Sequence, residues 1–400
     1  MVGHSDLVGF HDTAVILWRT CNLTVEEGWK FYLPGFAVLA MPLLVWPVWI
    51  TAPLLALLNI ALLWWTVREC TRLAGETARP PESFHMRWTV PIAAVLVYAS
   101  GTITLGQFNT IVLALCVAAY GQFRRGADSR AGVLTGLAAV IKLFPLVLIA
   151  FWLLRGRWKA ALAAMATFAV LAVAPSLAMF GWAGTVRTHE TWLSQVRGEA
   201  YANRGTKAFP PEVPHIMYLQ RTHQWMRANN QSLAIVVRRL TTDVADNNHL
   251  KRAVNLVNLP LHAAFGAYVT GAAIIFLLLC WTTWQCRHSP AVFDLFAGWL
   301  AAVVAFVPIY WTHYFVLALP AVAILCRDTA RKGKRSIAFL LLIAWFAGEV
   351  LIGSNGCRLV GLQCWLTLGL MAYVVLGSFP QGEPVAPLPS SDQMALEAPR

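Results

Sequence analysis

Long apolar runs, separated by short connectors rich in arginine and lysine, recur along this chain and leave it few ways to fold. They are Pro34 to Val67, Trp88 to Leu105, Thr110 to Phe123, Ala131 to Leu154, Ala160 to Phe180, Val254 to Trp284, Ala291 to Ile309, Tyr314 to Cys326, Ile337 to Ile352 and Leu359 to Phe379. About 20 apolar residues suffice for a helix to cross the hydrocarbon layer of a bilayer. Backbone polar groups cannot stay unpaired in lipid, so such runs become helices. The chain has 400 residues, 58% apolar and 12% charged, where soluble domains carry about 45–50% and about 25%. A single core stops growing at about 250–300 residues, so the excess apolar surface faces lipid. The expected class is all-α, a polytopic integral membrane protein with about 10–11 membrane segments.

The connectors set the predicted orientation. Arg68, Arg72, Arg79 and Arg87 mark one side, with Arg124, Arg125 and Arg130, then Arg155, Arg157 and Lys159, then Arg327, Arg331, Lys332, Lys334 and Arg335. The positive-inside rule makes that side cytoplasmic and places the C-terminus there. The net charge of +12 is thereby accounted for by topology, which argues against a nucleic-acid partner. The 18 tryptophans suit the interfacial zone. Eight cysteines include no CxxC pair, so neither a zinc site nor a redox motif is signalled. Cys357 and Cys364 are close enough in sequence to pair in an oxidising compartment, with two thiols as the plainer alternative.

Two runs need special treatment for the alternation to work. Ala131 to Leu154 is flanked by basic residues at both ends, which predicts a hairpin of two short helices kinked around Lys142 to Pro145. Pro34 to Val67 is too long for one perpendicular span, and Pro42, Pro47 and Pro53 predict an interfacial piece followed by one crossing. The resulting division is an outer N-terminal segment at 1–33, a transmembrane region at 34–180, a long extracytoplasmic loop at 181–252, a second transmembrane region at 253–379 and a proline-rich disordered tail at 380–400. Residues 1–33 fall outside although they contain no spanning run, which predicts a helix upstream of Met1.

Most of the polar clusters then gather on the outer side. They are Ser5-Asp6-Leu7, the aromatic Phe31-Tyr32-Leu33-Pro34, Leu105-Gly106-Gln107-Phe108-Asn109, the stretch from Gly132 through Gly136 and Ala139 to Ile141-Lys142-Leu143-Phe144-Pro145, Asn230-Gln231-Ser232-Leu233 with Arg238-Arg239, and Tyr310-Trp311-Thr312-His313-Tyr314. In this order they resemble glycosyltransferase family 87, polyprenol-phosphate-mannose-dependent mannosyltransferases within the C-type (GT-C) membrane glycosyltransferases. The resemblance covers about residues 6 to 330; each motif is weak alone and the ordered set carries it. It implies an enzyme that moves a hexose, by the family mannose, from a polyprenyl-phosphate donor to an outer-face acceptor with inversion. It also implies a catalytic base in the first outer loop, where Asp6 stands. This chain departs from the family in having no helix before that Asp: an upstream start is the expectation, and a divergent, inactive relative the alternative.

The residues can also be read by their chemistry. A sugar on a lipid phosphate already has a good leaving group, so the enzyme must deprotonate an acceptor hydroxyl and steady the departing phosphate. Asp6 can take that proton, with Asp12 its rival; either can equally be a helix-capping or solvated acid. Lys142 is the lone Lys or Arg inside an apolar run, and an ionisable group there is costly unless it pairs or lines a cavity. Its natural partner is the donor phosphate, with a snorkelling lysine the plainer reading. His313 suits a phosphate or sugar ring, whereas Tyr310 and Trp311 read as interfacial anchors. Gln107 and Asn109 sit in a tight outer turn where their amides serve sugar hydroxyls or helix ends. Tyr32, Asn230, Gln231, Arg238 and Arg239 complete the candidate donor-binding set, with helix capping and a solvated basic end the alternative for the last four. No His and carboxylate spacing suggests a metal, so neither metal nor cofactor is expected. The expected partners are the polyprenyl-phosphate sugar, a glycan or lipid acceptor and the bilayer. A multi-pass transporter or lipid flippase is the competing class; such proteins show paired repeats, and no internal repeat stands out here.

Overall fold

The structure, a computed structural model, describes residues 6–21, 32–76, 83–204, 229–242, 254, 256–289, 292–307, 309–329, 331, 334–353 and 355–379, with backbone alone at 194–204, 261, 355 and 359. The predicted tail at 380–400 and much of the predicted long loop lie outside the described residues. Among the described residues the protein is all-α, and the one strand-like feature is an isolated bridge between Asn230 and Trp311.

The first half runs through α1 (Asp6–Thr20), α2 (Pro34–Leu44), α3 (Val48–Gly75), α4 (Val90–Leu105, entered through a π-helical turn at His85–Thr89), α5 (Asn109–Arg124), α6 (Asp128–Ile141), α7 (Val147–Leu154) and α8 (Trp158–Arg204). The second half contains α9 (Leu233–Thr241), α10 (Leu261–Gln285), α11 (Val292–Ala301), α12 (Val303–Phe306), a 3₁₀ helix at Thr312–Ala318, α13 (Leu319–Asp328), α14 (Arg335–Leu351), α15 (Asn355–Leu359) and α16 (Leu362–Leu376). Among the described residues, four helices are long and apolar enough to cross a membrane: Val48–Gly75, His85–Leu105, Trp158–Leu193 and His262–Gln285. Pro34–Leu44, Phe144–Leu154, Val292–Phe306 and Leu362–Leu376 are apolar but shorter. The predicted runs are therefore cut more often than their length suggested. Pro34 to Val67 divides before Pro47, the N-cap of α3, because proline cannot donate to the preceding turn. The helix from Trp158 continues past a break at Gly181 (φ 64°) to Arg204, into the stretch expected to open the long loop.

The segment from Ala131 to Leu154 forms the predicted hairpin. Lys142 leaves the helix in an extended conformation (φ −144°, ψ 135°), a 3₁₀ turn at Phe144–Leu146 follows, and α7 runs back. Arg157, beyond α7, pairs with Asp128 at the start of α6 at 3.6 Å, so both feet of the hairpin stand at one end of the bundle. Trp152 Nε1 donates to Thr135 Oγ1 at 3.1 Å and ties the two arms together.

Helix α8 is the spine against which the hairpin is set. A Cβ on Gly132 would strike the Ala160 carbonyl and the Ala163 side chain, and one on Gly136 would come within 2.7 Å of the Ala164 carbonyl oxygen and the Thr167 Cβ. Gly35 on α2 meets the Leu171 and Ala172 carbonyls of the same helix in the same way. Small residues one turn apart let backbones approach closely where lipid removes any hydrophobic drive between helices.

Ion pairs collect at the end of the bundle that holds the hairpin's feet. Glu76, after α3, pairs with Arg72 and with Arg124 of α5. Arg327 is 1% exposed and holds Asp294 of α11 through two bonds of 2.8 and 2.9 Å, and Asp328 at 2.8 Å. Tyr373 of α16 donates to Asp328 at 2.9 Å. The opposite end carries the polar clusters described next. We expect Gly136→Leu to destabilise the detergent-purified protein by about 1–3 kcal/mol, the cost of overpacking. Gly271→Ala, where a Cβ meets nothing within 4 Å, should leave the melting temperature unchanged in the same thermal unfolding assay.

Candidate functional site

The site begins with a turn. Helix α4 ends on Gly106 in the left-handed region (φ 69°, ψ 34°), where only glycine is unstrained. Gln107 N donates to Thr102 O at 2.8 Å and closes the reversal into α5. A Cβ on Gly106 would also collide with Leu7, so this turn and the start of α1 touch. Leu7, Phe10, Ala14 and Leu17 form the buried stripe of α1, spaced to lie on one helical face. Phe10, Tyr32, Phe36 and Phe108 pack as a cluster of rings with centroids 5.2 to 6.0 Å apart. The cluster fastens α1 and α2 to the turn and brings Asp6, the first residue of α1, over Gln107.

A chain of hydrogen bonds then joins five separate segments. Gln107 Nε2 donates to Asp6 Oδ2 at 2.5 Å. Gln107 Oε1 accepts from the Tyr32 hydroxyl at 2.8 Å and from Lys142 Nζ at 3.2 Å. Lys142 Nζ also donates to the Tyr314 hydroxyl at 2.7 Å, lies 4.0 Å from the centroid of the Tyr314 ring and 5.3 Å from that of Tyr32, and is 8% exposed. Asp6 is near enough to act electrostatically on Lys142, and Lys142 on His313. His313 is buried, its ring edge-on to Tyr314 at 4.9 Å and its carbonyl accepting from Thr102 Oγ1 at 3.2 Å.

Five candidates from the sequence, Asp6, Tyr32, Gln107, Lys142 and His313, thus share one neighbourhood. Asp12 does not: its side chain is 58% exposed and pairs with His11 at 3.1 Å. Asn109 is fully buried as the first residue of α5 and donates to Thr102 Oγ1 at 3.4 Å, so it lies beneath the turn instead of presenting an amide at its surface.

Asn230, Gln231 and Arg239 build a clasp. Asn230 Oδ1 accepts from Ser232 N at 3.1 Å and from Tyr310 N at 3.0 Å, and Gln231 N donates to Tyr310 O at 2.8 Å. Gln231 Nε2 donates to Arg358 O at 2.8 Å, and Arg239, 1% exposed, donates to Asn230 O at 3.1 Å. Ser232 caps α9 through Ile235 N at 3.4 Å. These groups lock the Tyr310–Trp311 segment, and with it the 3₁₀ helix bearing His313 and Tyr314. Arg238 stands half-buried in the last turn of α9. Tyr310 is wholly buried, its hydroxyl donating to Tyr314 O at 3.1 Å, which corrects its reading as an interfacial anchor. Cys364 is a buried free thiol, so it forms no bridge to Cys357.

Sequence reasoning missed Tyr314 and Asn59. Tyr314 stands in the quoted turn motif and opens an apolar run, but the sequence reading gives it no role of its own. Asn59 is fully buried in α3 and donates to Leu55 O at 2.9 Å and Gln107 O at 3.4 Å. A lone amide inside an apolar span was the available signal, since polar groups there face the bundle interior.

A carboxylate, a bridging amide, an ammonium and two phenols at one end of a membrane bundle suit transfer chemistry on an anionic, hydroxyl-bearing substrate. Comparison with known proteins agrees with that class. The model of glycosyltransferase family 87 matches residues 31–308. The chain belongs to this family. The match includes Tyr32, Gln107, Asn109, Lys142 and the clasp residues, while Asp6, Asp12 and His313 fall outside it. The chain is also 24% identical over 300 residues, 70% of its length, to a polyprenol-phosphate-mannose-dependent alpha-(1-2)-phosphatidylinositol mannoside mannosyltransferase of Mycobacterium tuberculosis. It spans 58% of that protein's length. Family 87 is a family of membrane glycosyltransferases.

The clasp makes a separate expectation. Asn230→Ala removes the acceptor for two buried backbone N–H groups, each costing about 1–3 kcal/mol when left unpaired. It should lower the melting temperature in detergent by several degrees, measured by size-exclusion chromatography after heating, more than Arg238→Ala does.

Proposed function

We propose that this glycosyltransferase takes a hexose, mannose in the first instance, from a polyprenyl-phosphate donor and transfers it with inversion to a glycan or lipid acceptor at the extracytoplasmic face, on a C-type (GT-C) scaffold in the cell membrane. The observation that carries the reading is the Asp6–Gln107–Lys142 chain: a carboxylate and an ammonium held one amide apart at the end of the bundle opposite the basic connectors. The resemblance and the relative's name support the donor and the sugar, and the positive-inside rule supports the orientation.

In this mechanism the acceptor hydroxyl attacks the anomeric carbon as the bond from that carbon to the phosphate oxygen breaks. The hydroxyl proton passes to the Asp6 carboxylate, and polyprenyl phosphate departs as an anion. Inversion places attacking and leaving oxygens on opposite sides of the carbon, so base and cation must not touch each other. Lys142 spends two N–H groups on Gln107 and Tyr314; the third, or either of these after exchange, meets the phosphate through a charge-assisted hydrogen bond. Tyr32 and Tyr314 supply phenols beside it. The low dielectric of the site makes each of these contacts worth more than in water.

The test is transfer in detergent from labelled polyprenyl-phosphate mannose into a crude lipid acceptor extract. A transporter has no second compartment there and turns nothing over. Asp6→Asn should lose about 10²- to 10⁴-fold in rate with expression retained, while Asp12→Asn stays near wild type. Lys142→Met should raise the donor KM about 10-fold or more, the size of a lost hydrogen bond to a charged group. Full activity in Asp6→Asn would remove the base from this position.

A further inference from the structure

We propose that Gln107 is a positioning residue that holds the carboxylate of Asp6 and the ammonium of Lys142 apart and aims both, and does not itself bind the sugar. This rests on the reading of Asp6 as base and Lys142 as phosphate partner given above.

The orientation of the Gln107 amide follows from its neighbours. An ammonium can only donate hydrogen bonds and a carboxylate can only accept them. The amide edge facing Lys142 must therefore be the carbonyl, and the edge facing Asp6 must be the NH₂. Tyr32 donates to the same carbonyl, so both lone pairs of Oε1 are engaged. The backbone of Gln107 is fixed as firmly: its N–H bonds Thr102 O and its carbonyl accepts from Asn59. The residue is 6% exposed, which leaves one N–H for any ligand. A side chain engaged on both edges and fixed at its backbone is built to hold other groups.

What it holds apart explains why an amide stands there. A lysine directly against the carboxylate would favour its charged form and lower its basicity by about 1–3 pH units. It would also occupy the lone pairs that must receive the acceptor proton and the N–H that must meet phosphate. With the amide between them, Asp6 accepts an oriented bond from Gln107, and Lys142 donates one to Gln107 beside its bond to Tyr314. Among the described residues, the titratable groups facing Asp6 are Tyr32 just before α2, Lys142 at the hairpin tip and Tyr314 of the 3₁₀ helix, and Lys142 also faces His313 of that helix. On α1 itself His11 and Asp12 pair with each other.

The experiment compares the full chain with Q107E and Q107M. In Q107E two carboxylates face each other and cannot both ionise readily, so the last proton leaves at higher pH. Because the base must be ionised to work, the acid limb of the rate profile moves up, by about one pH unit or more. Q107M keeps length but neither donor nor acceptor, and kcat falls about 10- to 100-fold, the size of one charge-assisted bond, with the donor KM changed less than about 3-fold. Q107N, too short to span both partners, gives the same pattern more mildly if Q107E does not fold. A raised KM with an unshifted profile would mean that Gln107 touches the donor, and would overturn the proposal. Infrared difference spectra between each protein and its D6N counterpart follow the carboxyl titration without substrate. They separate the two layers of inference: wild type without transfer activity contradicts the proposed reaction, whereas an unmoved titration in Q107E contradicts the role given to Gln107.

Discussion

A lysine ammonium inside an apolar helical bundle must be given partners, and the rest of this site follows from how Lys142 obtains them. An unpaired charge taken from water into a membrane interior costs several kcal/mol. Here the cost is offset by the carbonyl of Gln107, the hydroxyl of Tyr314 and the faces of two aromatic rings. The three residues that supply these partners, Gln107, Tyr314 and Tyr32, lie in different parts of the chain, so satisfying one ammonium fixes the hairpin tip, the approach to α2, the α4–α5 turn and the 3₁₀ helix relative to one another. Gln107 extends the same constraint to α1 and Asp6.

The two ends of the bundle are held by different forces. One end uses ion pairs, among them the buried Arg327 with Asp294 and Asp328, whose bidentate geometry suits a guanidinium. The other uses neutral amides and phenols around one cation, which leaves its charge available to a ligand. Between them, Gly35, Gly132 and Gly136 seat α2 and α6 on α8 at backbone distance, so the residues that carry Tyr32 and Lys142 share one rigid reference. On the proposed reaction, the exactness demanded of base and phosphate partner begins with these glycines, far from the chemistry.

Much of this was legible before the fold was known. The apolar runs announced an all-α membrane protein, and basic residues on both sides of Ala131 to Leu154 announced a hairpin, because charge near a membrane can settle on one side only. Lys142 stood out as an ion without a visible partner. The partner itself was not legible: Gln107 lies 35 positions away, and periodicity carries no information about which end of one helix meets which end of another. For the same reason Asn230 and Arg239 left ligand binding and local capping open in the sequence, and the fold uses them to secure Tyr310 and Trp311. Asp6 and Asp12 could not be ranked from spacing, since both sit on one helix and only the packing of Phe10 against Tyr32 and Phe108 decides which of them faces the bundle.

The central claim is that the ammonium of Lys142 and the carboxylate of Asp6 bracket the reacting carbon of a polyprenyl-phosphate sugar. A cryo-EM structure of D6N with polyprenyl-phosphate mannose bound tests it most directly. The account predicts a phosphate oxygen at about 2.7–2.9 Å from Lys142 Nζ, as in a charge-assisted bond, with the anomeric carbon between the phosphate and residue 6. A phosphate seated instead against Arg238 and Arg239, with Lys142 still bonded to Gln107 and Tyr314, would contradict it.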